Sequence, residues 1–214
     1  MSLKILILDR IKTPEQGMVW TPFDFLDLGN RDAVDKVLQR LVKTNSIRRI
    51  DRGLYDYPKK NNLIGALMAP NYQNVIAAVS RRDQSRMLVD GLTSANDLGL
   101  TNAVPGQVNI LTDSRLKPIK IGNLVLKFKH TAPSKLYWAD RPAMRVVQAL
   151  HWLRDVIEKN NKEQIKNKLI LFLKGHPKQK IIVNDLCEGL STLPAWMQKF
   201  LKELILELEG NSDE

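Results

Sequence analysis

The chain has 214 residues, 43% of them hydrophobic and 26% charged, which is ordinary globular composition with room for one large or two small domains. No apolar run approaches the ~20 residues that span a bilayer and no secretory pattern opens the chain, so a cytoplasmic protein without a membrane partner is expected. A formal charge of +10, with the basic excess in the first two thirds, suits a polyanionic partner, while a single cysteine, Cys187, excludes an intramolecular disulfide or a thiolate zinc cluster, and its apolar surroundings predict a core position.

Residues 3–11 place Leu3, Ile7 and Ile11 on one helical stripe, although their density of Leu and Ile would also suit a buried strand; the elements that follow favour a helix. Thr13, Pro14 and Gly17 end it, and Met18 to Trp20 can form a short strand. Thr21, Pro22 and Asp24 announce a short helix, since a hydroxyl can cap, proline has no N–H to waste at the first helical position, and a carboxylate can reach back. Leu28, Gly29 and Asn30 stop it, with Gly29 expected at positive φ and Asn30 as the next cap.

From Arg31 to Thr44 the apolar residues Val34, Val37, Leu38 and Leu41 recur at helical spacing, leaving Arg31, Asp32, Asp35, Lys36, Gln39, Arg40 and Lys43 on the opposite face. Asp32 and Asp35 would repel phosphate, so they suit pairing within the helix, Arg31 with Asp35 or Asp35 with Gln39, or accepting from cytosine. Ile47 to Ile50 and Leu54 to Tyr57 are β-prone runs joined by a turn at Asp51, Arg52 and Gly53. Ile47 and Ile50 cannot both face inward in an unbroken strand of period two, so the strand starts late or carries a bulge.

In this order the parts describe a winged helix-turn-helix over residues 1–60, expected to bind double-stranded DNA. The candidate contacts are Arg31, Asp32, Asp35, Lys36, Gln39, Arg40 and Lys43 on the recognition helix, and Arg48, Arg49, Arg52 and Tyr55 on the wing. A docking module built on the same fold is the alternative, against which the three wing arginines weigh.

The polar seam Pro58 to Asn62 marks the expected boundary between a domain of residues 1–60 and a second of 61–214. Within the second, Leu63 to Met68 and Tyr72 to Arg82 read as helices, Arg86 to Val89 as a strand, and Thr93 to Leu98 as a helix capped by Thr93 and stopped by Gly99. Val108 to Leu111, Pro118 to Ile121 and Leu124 to Phe128 read as strands, the last two joined at Gly122-Asn123. A helical end follows over about 142–210, with candidate helices around Met144 to Leu153, Gln164 to Leu173 and Trp196 to Leu208, and a frayed acidic tail at Asn211 to Glu214. The fold class expected is α+β, not a doubly wound sheet.

Catalytic clusters are missing. His130, His151 and His176 lie far apart without metal-ligand spacing, no phosphate-cradling glycine motif occurs, and Asp83, Asp90, Asp97 and Asp113 sit on elements of different direction. The aromatic residues do not alternate along strands as a base-stacking platform requires, and Tyr55 alone suggests a wing contact. A non-enzyme without cofactor or metal is expected.

The run Thr21, Pro22, Asp24, Phe25, Leu28, Gly29, Arg31, Ala33, Val34, Leu38, Arg40, Leu41, Ile47, Arg49, Arg52, Gly53 and Tyr55 resembles the N-terminal domain of AbiEi-like antitoxins, the regulators of type IV toxin–antitoxin (abortive infection) systems. Gly91, Leu92, Thr93, Ala95, Asn96, Leu98, Gly99, Leu100 and Pro105, then Ile121, Gly122, Phe128 and Lys129, are similar to the central region of that family, so the resemblance spans roughly residues 13–150. It implies an autorepressor that binds inverted repeats in its promoter, as a homodimer on DNA, and a C-terminal antitoxin domain that counters a cognate nucleotidyltransferase-like toxin. Residues 160–214 match no motif of the family.

Overall fold

The first helix, α1 (Leu3–Lys12), forms on the stripe expected of it, with Ile7 and Ile11 buried. The computed structural model describes residues 2–12, 18–61 and 65–210, so the breaker at Thr13 to Gly17 and the acidic tail lie outside the described residues. The fold is α+β. By its internal contacts the chain divides into residues 1–85 with 116–127, and residues 86–115 with 128–214.

In the first unit, β1 (Val19–Trp20) leads into a single 3-10 turn, Pro22–Phe25, where a full short helix was expected. Asp24 sets this turn: its Oδ2 accepts from the Thr21 N–H at 2.6 Å and from the Thr21 hydroxyl at 3.0 Å. Gly29 does not adopt positive φ. Its missing side chain instead admits Leu3, whose Cδ2 would lie 3.2 Å from an added Cβ.

Helix α2 (Arg31–Lys43) begins at Asn30, whose Oδ1 accepts from the Ala33 N–H at 2.9 Å, and buries Val34, Val37, Leu38 and Leu41 against Ile7, Ile11 and Phe25. It ends in a Schellman motif: Asn45, at φ 53°, donates to the Val42 carbonyl at 3.0 Å and Ser46 donates to that of Leu41 at 2.9 Å. Strands β2 (Arg48–Asp51) and β3 (Leu54–Asp56) close a three-stranded antiparallel sheet in the order β1-β3-β2. Both solutions to the Ile47/Ile50 conflict occur together. The strand starts after buried Ile47, and the register shifts between Arg49 and Asp51.

One expectation for the middle of the chain needs correction, the helix over Leu63 to Met68, of which Leu63 and Ile64 lie outside the described residues. Gly65 to Met68 is not helical; Leu67 bridges Lys60, and the Met68 N–H donates to the Lys59 carbonyl at 2.7 Å, which lays this segment back on the strand exit. Helix α3 (Tyr72–Asp83) packs on β1 and β3, so by contacts it groups with the first unit. Arg81 donates to the Val19 carbonyl at 3.1 Å and Arg82 to the Arg52 carbonyl at 2.6 Å, tying α3 to both ends of the sheet. Residues 116–127 also belong to this unit and hold β6 (Ile119–Ile121) and the first residues of β7 (Leu124–His130), paired antiparallel about a turn with Gly122 at φ 59°.

In the second unit, β4 (Met87–Val89) pairs antiparallel with β5 (Gln107–Thr112). Helix α4 (Gly91–Asp97) is capped by Asp90, not Thr93: the Asp90 carboxylate accepts from both the Thr93 N–H and its hydroxyl at 2.9 Å. Gly91 lets α4 approach α5 (Met144–Val156), since a Cβ there would lie 2.5 Å from that of Trp152. A π-helical turn, Ile157–Asn161, joins α5 to α6 (Lys162–Lys174), and a further helix, α7 (Gln179–Gly189), forms between Pro177 and the end of the chain's helical region. Cys187 is exposed on α7, correcting its expected core position, because Ile182, Leu186 and Gly189 take the inward face. Helix α8 (Ala195–Gly210) packs on α6, where Lys166 pairs with Glu207.

Candidate nucleic-acid interface

Arg31, Asp32, Lys36, Gln39, Arg40 and Lys43 are exposed on α2, and Asp35 is half-buried between them and the core. The carboxylates do not cancel the whole row. Asp35 pairs with Arg31 at 2.8 Å, one turn away, and the Arg31 guanidinium also lies 4.9 Å from the centroid of the Phe23 ring. Among the described residues no ion pair engages Lys36, Arg40 or Lys43, so their charges face solvent along the second half of the helix, with the Gln39 amide between them.

The hairpin arginines divide by function. Arg48 is committed to structure: its guanidinium meets the buried Asp56 carboxylate in two hydrogen bonds of 2.9 and 2.6 Å and donates a third to the Met68 carbonyl at 2.9 Å. Arg49 is exposed and donates only a long bond, 3.3 Å, to the Asp51 carbonyl. Arg52 is exposed at the turn, held there through its own backbone by Arg82, with Gly53 at φ 68° completing the reversal.

Tyr55 is no surface contact. Only 6% exposed, it belongs to the core that holds Val34 and Leu38, and burial pushes its phenol above the ordinary value. In β3 it faces inward because the sheet covers α2 with that side of the strand. A ring in the core cannot stack on a base.

A concave surface that the sequence pattern did not single out lies at the C-terminal end of α2. This groove, of about 830 Å³, is lined by Leu8 and Lys12 of α1, by Asn45 and Ser46 of the helix cap, and by Tyr57, Pro58, Lys59, Lys60 and Leu67. Its residues come from segments 45 residues or more apart in some pairs, such as Lys12 and Lys59, which no local spacing rule joins. Among the described residues no group of His, Cys, Asp or Glu could hold a metal ion, and no helix is long and apolar enough to cross a membrane.

Comparison with known proteins gives one family. The family described as "Family of unknown function (DUF6088)" matches residues 6–181. No curated protein matches the chain.

Proposed function

Because the chain belongs to the DUF6088 family, whose function is unknown, we propose from its own geometry that it is a DNA-binding transcriptional regulator of winged helix-turn-helix type. The observation that carries the proposal is the uncancelled cationic row of Lys36, Arg40 and Lys43, with Gln39 among them, on the exposed face of a helix whose other side is firmly buried. Cations provide affinity through the phosphates, and glutamine and arginine can read adenine and guanine edges in the major groove. The order α1, β1, 3-10 turn, α2, β2, β3 and the sheet order β1-β3-β2 support a winged helix in which the first helix of the motif is reduced to one turn. Arg49 and Arg52 then serve as wing contacts, while Arg48 and Tyr55 hold the wing in place.

On the resemblance to AbiEi-like antitoxins, the regulated promoter is the protein's own and the partner gene encodes a nucleotidyltransferase-like toxin. A second proposal, docking of another protein, draws on Phe23 of the 3-10 turn and Leu26 just after it, 53% and 42% exposed.

Fluorescence anisotropy on DNA from upstream of the gene, between low and moderate salt, tests the first proposal. The logarithm of the association constant should fall linearly with that of salt, with a slope corresponding to roughly four to eight phosphate contacts at about 0.9 each. Gln39→Ala should cost about 1–3 kcal/mol on the preferred site and little on random sequence, whereas Arg52→Ala should weaken both. Salt-insensitive binding, or none, would leave docking as the better account.

A further inference from the structure

We propose that the groove at the end of α2 is a binding site for a nucleoside phosphate, with the phosphates held by Lys12, Lys59 and Lys60 and the base laid against Tyr57 and Leu67. Its volume of about 830 Å³ suits a ligand of that size, within the roughly 300–1,000 Å³ usual for small-molecule clefts. Its chemistry is one-sided. Among the described residues three ammonium groups line it and no carboxylate does, and none of the three lysines has an ion-pair partner there.

Lys36, Arg40 and Lys43 of α2 also lack ion-pair partners among the described residues, so what separates this groove from that solvated face is its concave shape. In the same unit Arg10, Arg31, Arg48, Arg81 and Arg82 are each answered by an aspartate. The lysines of the groove are instead gathered without an answering carboxylate, among the described residues, on a concave surface. Like charges gathered around a low-dielectric wall raise the local concentration of anions, and lysine serves well as a point-charge phosphate ligand.

The rest of the lining supplies the other half of a nucleotide. Tyr57 is 44% and Leu67 56% exposed, flat or apolar surface that a base can cover. Asn45 and Ser46 bring amide and hydroxyl groups to the wall, and both are placed there by the Schellman turn that ends α2. A smaller neighbouring cavity of about 240 Å³ offers Arg48, Arg49 and Lys120, but Arg48 is already spent on Asp56 and Met68. Because the groove wall is also the C-terminal cap of α2, an occupant would brace that helix, and its effect on DNA affinity would be mirrored by an equal effect of DNA on its own affinity. That coupling rests on the DNA-binding proposal; occupancy of the groove does not.

Isothermal titration of the full chain, without DNA, with ADP and separately with pyrophosphate tests the site. Both should bind saturably, ADP more tightly, and both should weaken as salt rises. Lys59→Gln with Lys60→Gln should weaken both probes by about tenfold or more, as loss of charge-assisted bonds requires. Tyr57→Leu should bring ADP down to the affinity of pyrophosphate while leaving pyrophosphate unchanged. Melting curves of the variants should match the parent, since all three side chains are exposed. Absence of saturable ADP binding below about 1 mM, the weak end of useful affinity, would overturn the proposal, as would affinity indifferent to the lysine variants. Loss of DNA binding in the parent chain would leave these results as they stand.

Discussion

Arg48 and Arg52 carry the same side chain four residues apart, yet the fold uses them oppositely. Arg48 neutralises Asp56, whose side chain is 5% exposed, so truncating the arginine strands a buried carboxylate. Breaking a buried pair in this way costs about 3–5 kcal/mol, and with Arg48 itself 28% exposed we expect roughly 2–3 kcal/mol for Arg48→Ala. Arg52→Ala, at an exposed turn, should stay within about 0.5 kcal/mol of the parent. Denaturant titration separates them, and equal stability of the two variants would remove Arg48 from the structural role given to it. The sequence made all three hairpin arginines look alike because their partners, Asp56 and the Met68 carbonyl, are chosen by strand register and by the fold-back of a loop. Tyr55 was misplaced because β3 is the middle strand of the sheet and all three of its residues are buried, a placement that the order of the strands decides and no residue type announces.

At the scale of elements, local chemistry was well written where a single side chain decides the outcome. Asn30 caps α2 and four apolar residues at helical spacing bury together, as their pattern requires. Residues that punctuate are harder, because glycine answers two needs. Gly53 sits at φ 68°, so Gly53→Val should destabilise the first unit by more than ~1 kcal/mol. Gly29 has ordinary φ and faces only the movable end of Leu3, so Gly29→Ala should be much milder. Asn45, at φ 53°, predicts the reverse pattern for a non-glycine: Asn45→Gly should be nearly neutral, and Asn45→Val should lose more than ~1 kcal/mol. Thermal melts of these four variants form one test, and a Gly29→Ala loss as large as that of Gly53→Val would contradict the distinction between close approach and backbone conformation.

For the whole molecule the polar seam at Pro58 to Asn62 says nothing about what packs beyond it, because a solvated stretch is cheap at any surface. The sheet of β1, β2 and β3 depends on residues after the seam at named points: Met68 accepts from Arg48, Arg81 donates to Val19, and Arg82 donates to Arg52. Residues 116–127 join the same unit after a 30-residue excursion, 86–115, through the other, so no single cut releases the first unit intact. A fragment ending at residue 60 keeps the core of Ile7, Phe25, Leu38 and Leu41 but loses α3 and all three of those bonds. With so small a core, the loss of a covering helix is expected to be decisive, since chains near 60 residues are marginal even when complete. We therefore predict that residues 1–60 alone show a broad, weakly cooperative melt and bind DNA poorly, whereas the full chain carrying Lys36→Ala, Arg40→Ala and Lys43→Ala melts like the parent and loses DNA binding without losing its fold. Circular dichroism and anisotropy on the two proteins would decide the matter. A fragment 1–60 that melts as sharply as the parent and binds DNA equally well would show that the seam is a true domain boundary and that α3 is no part of the first unit's stability.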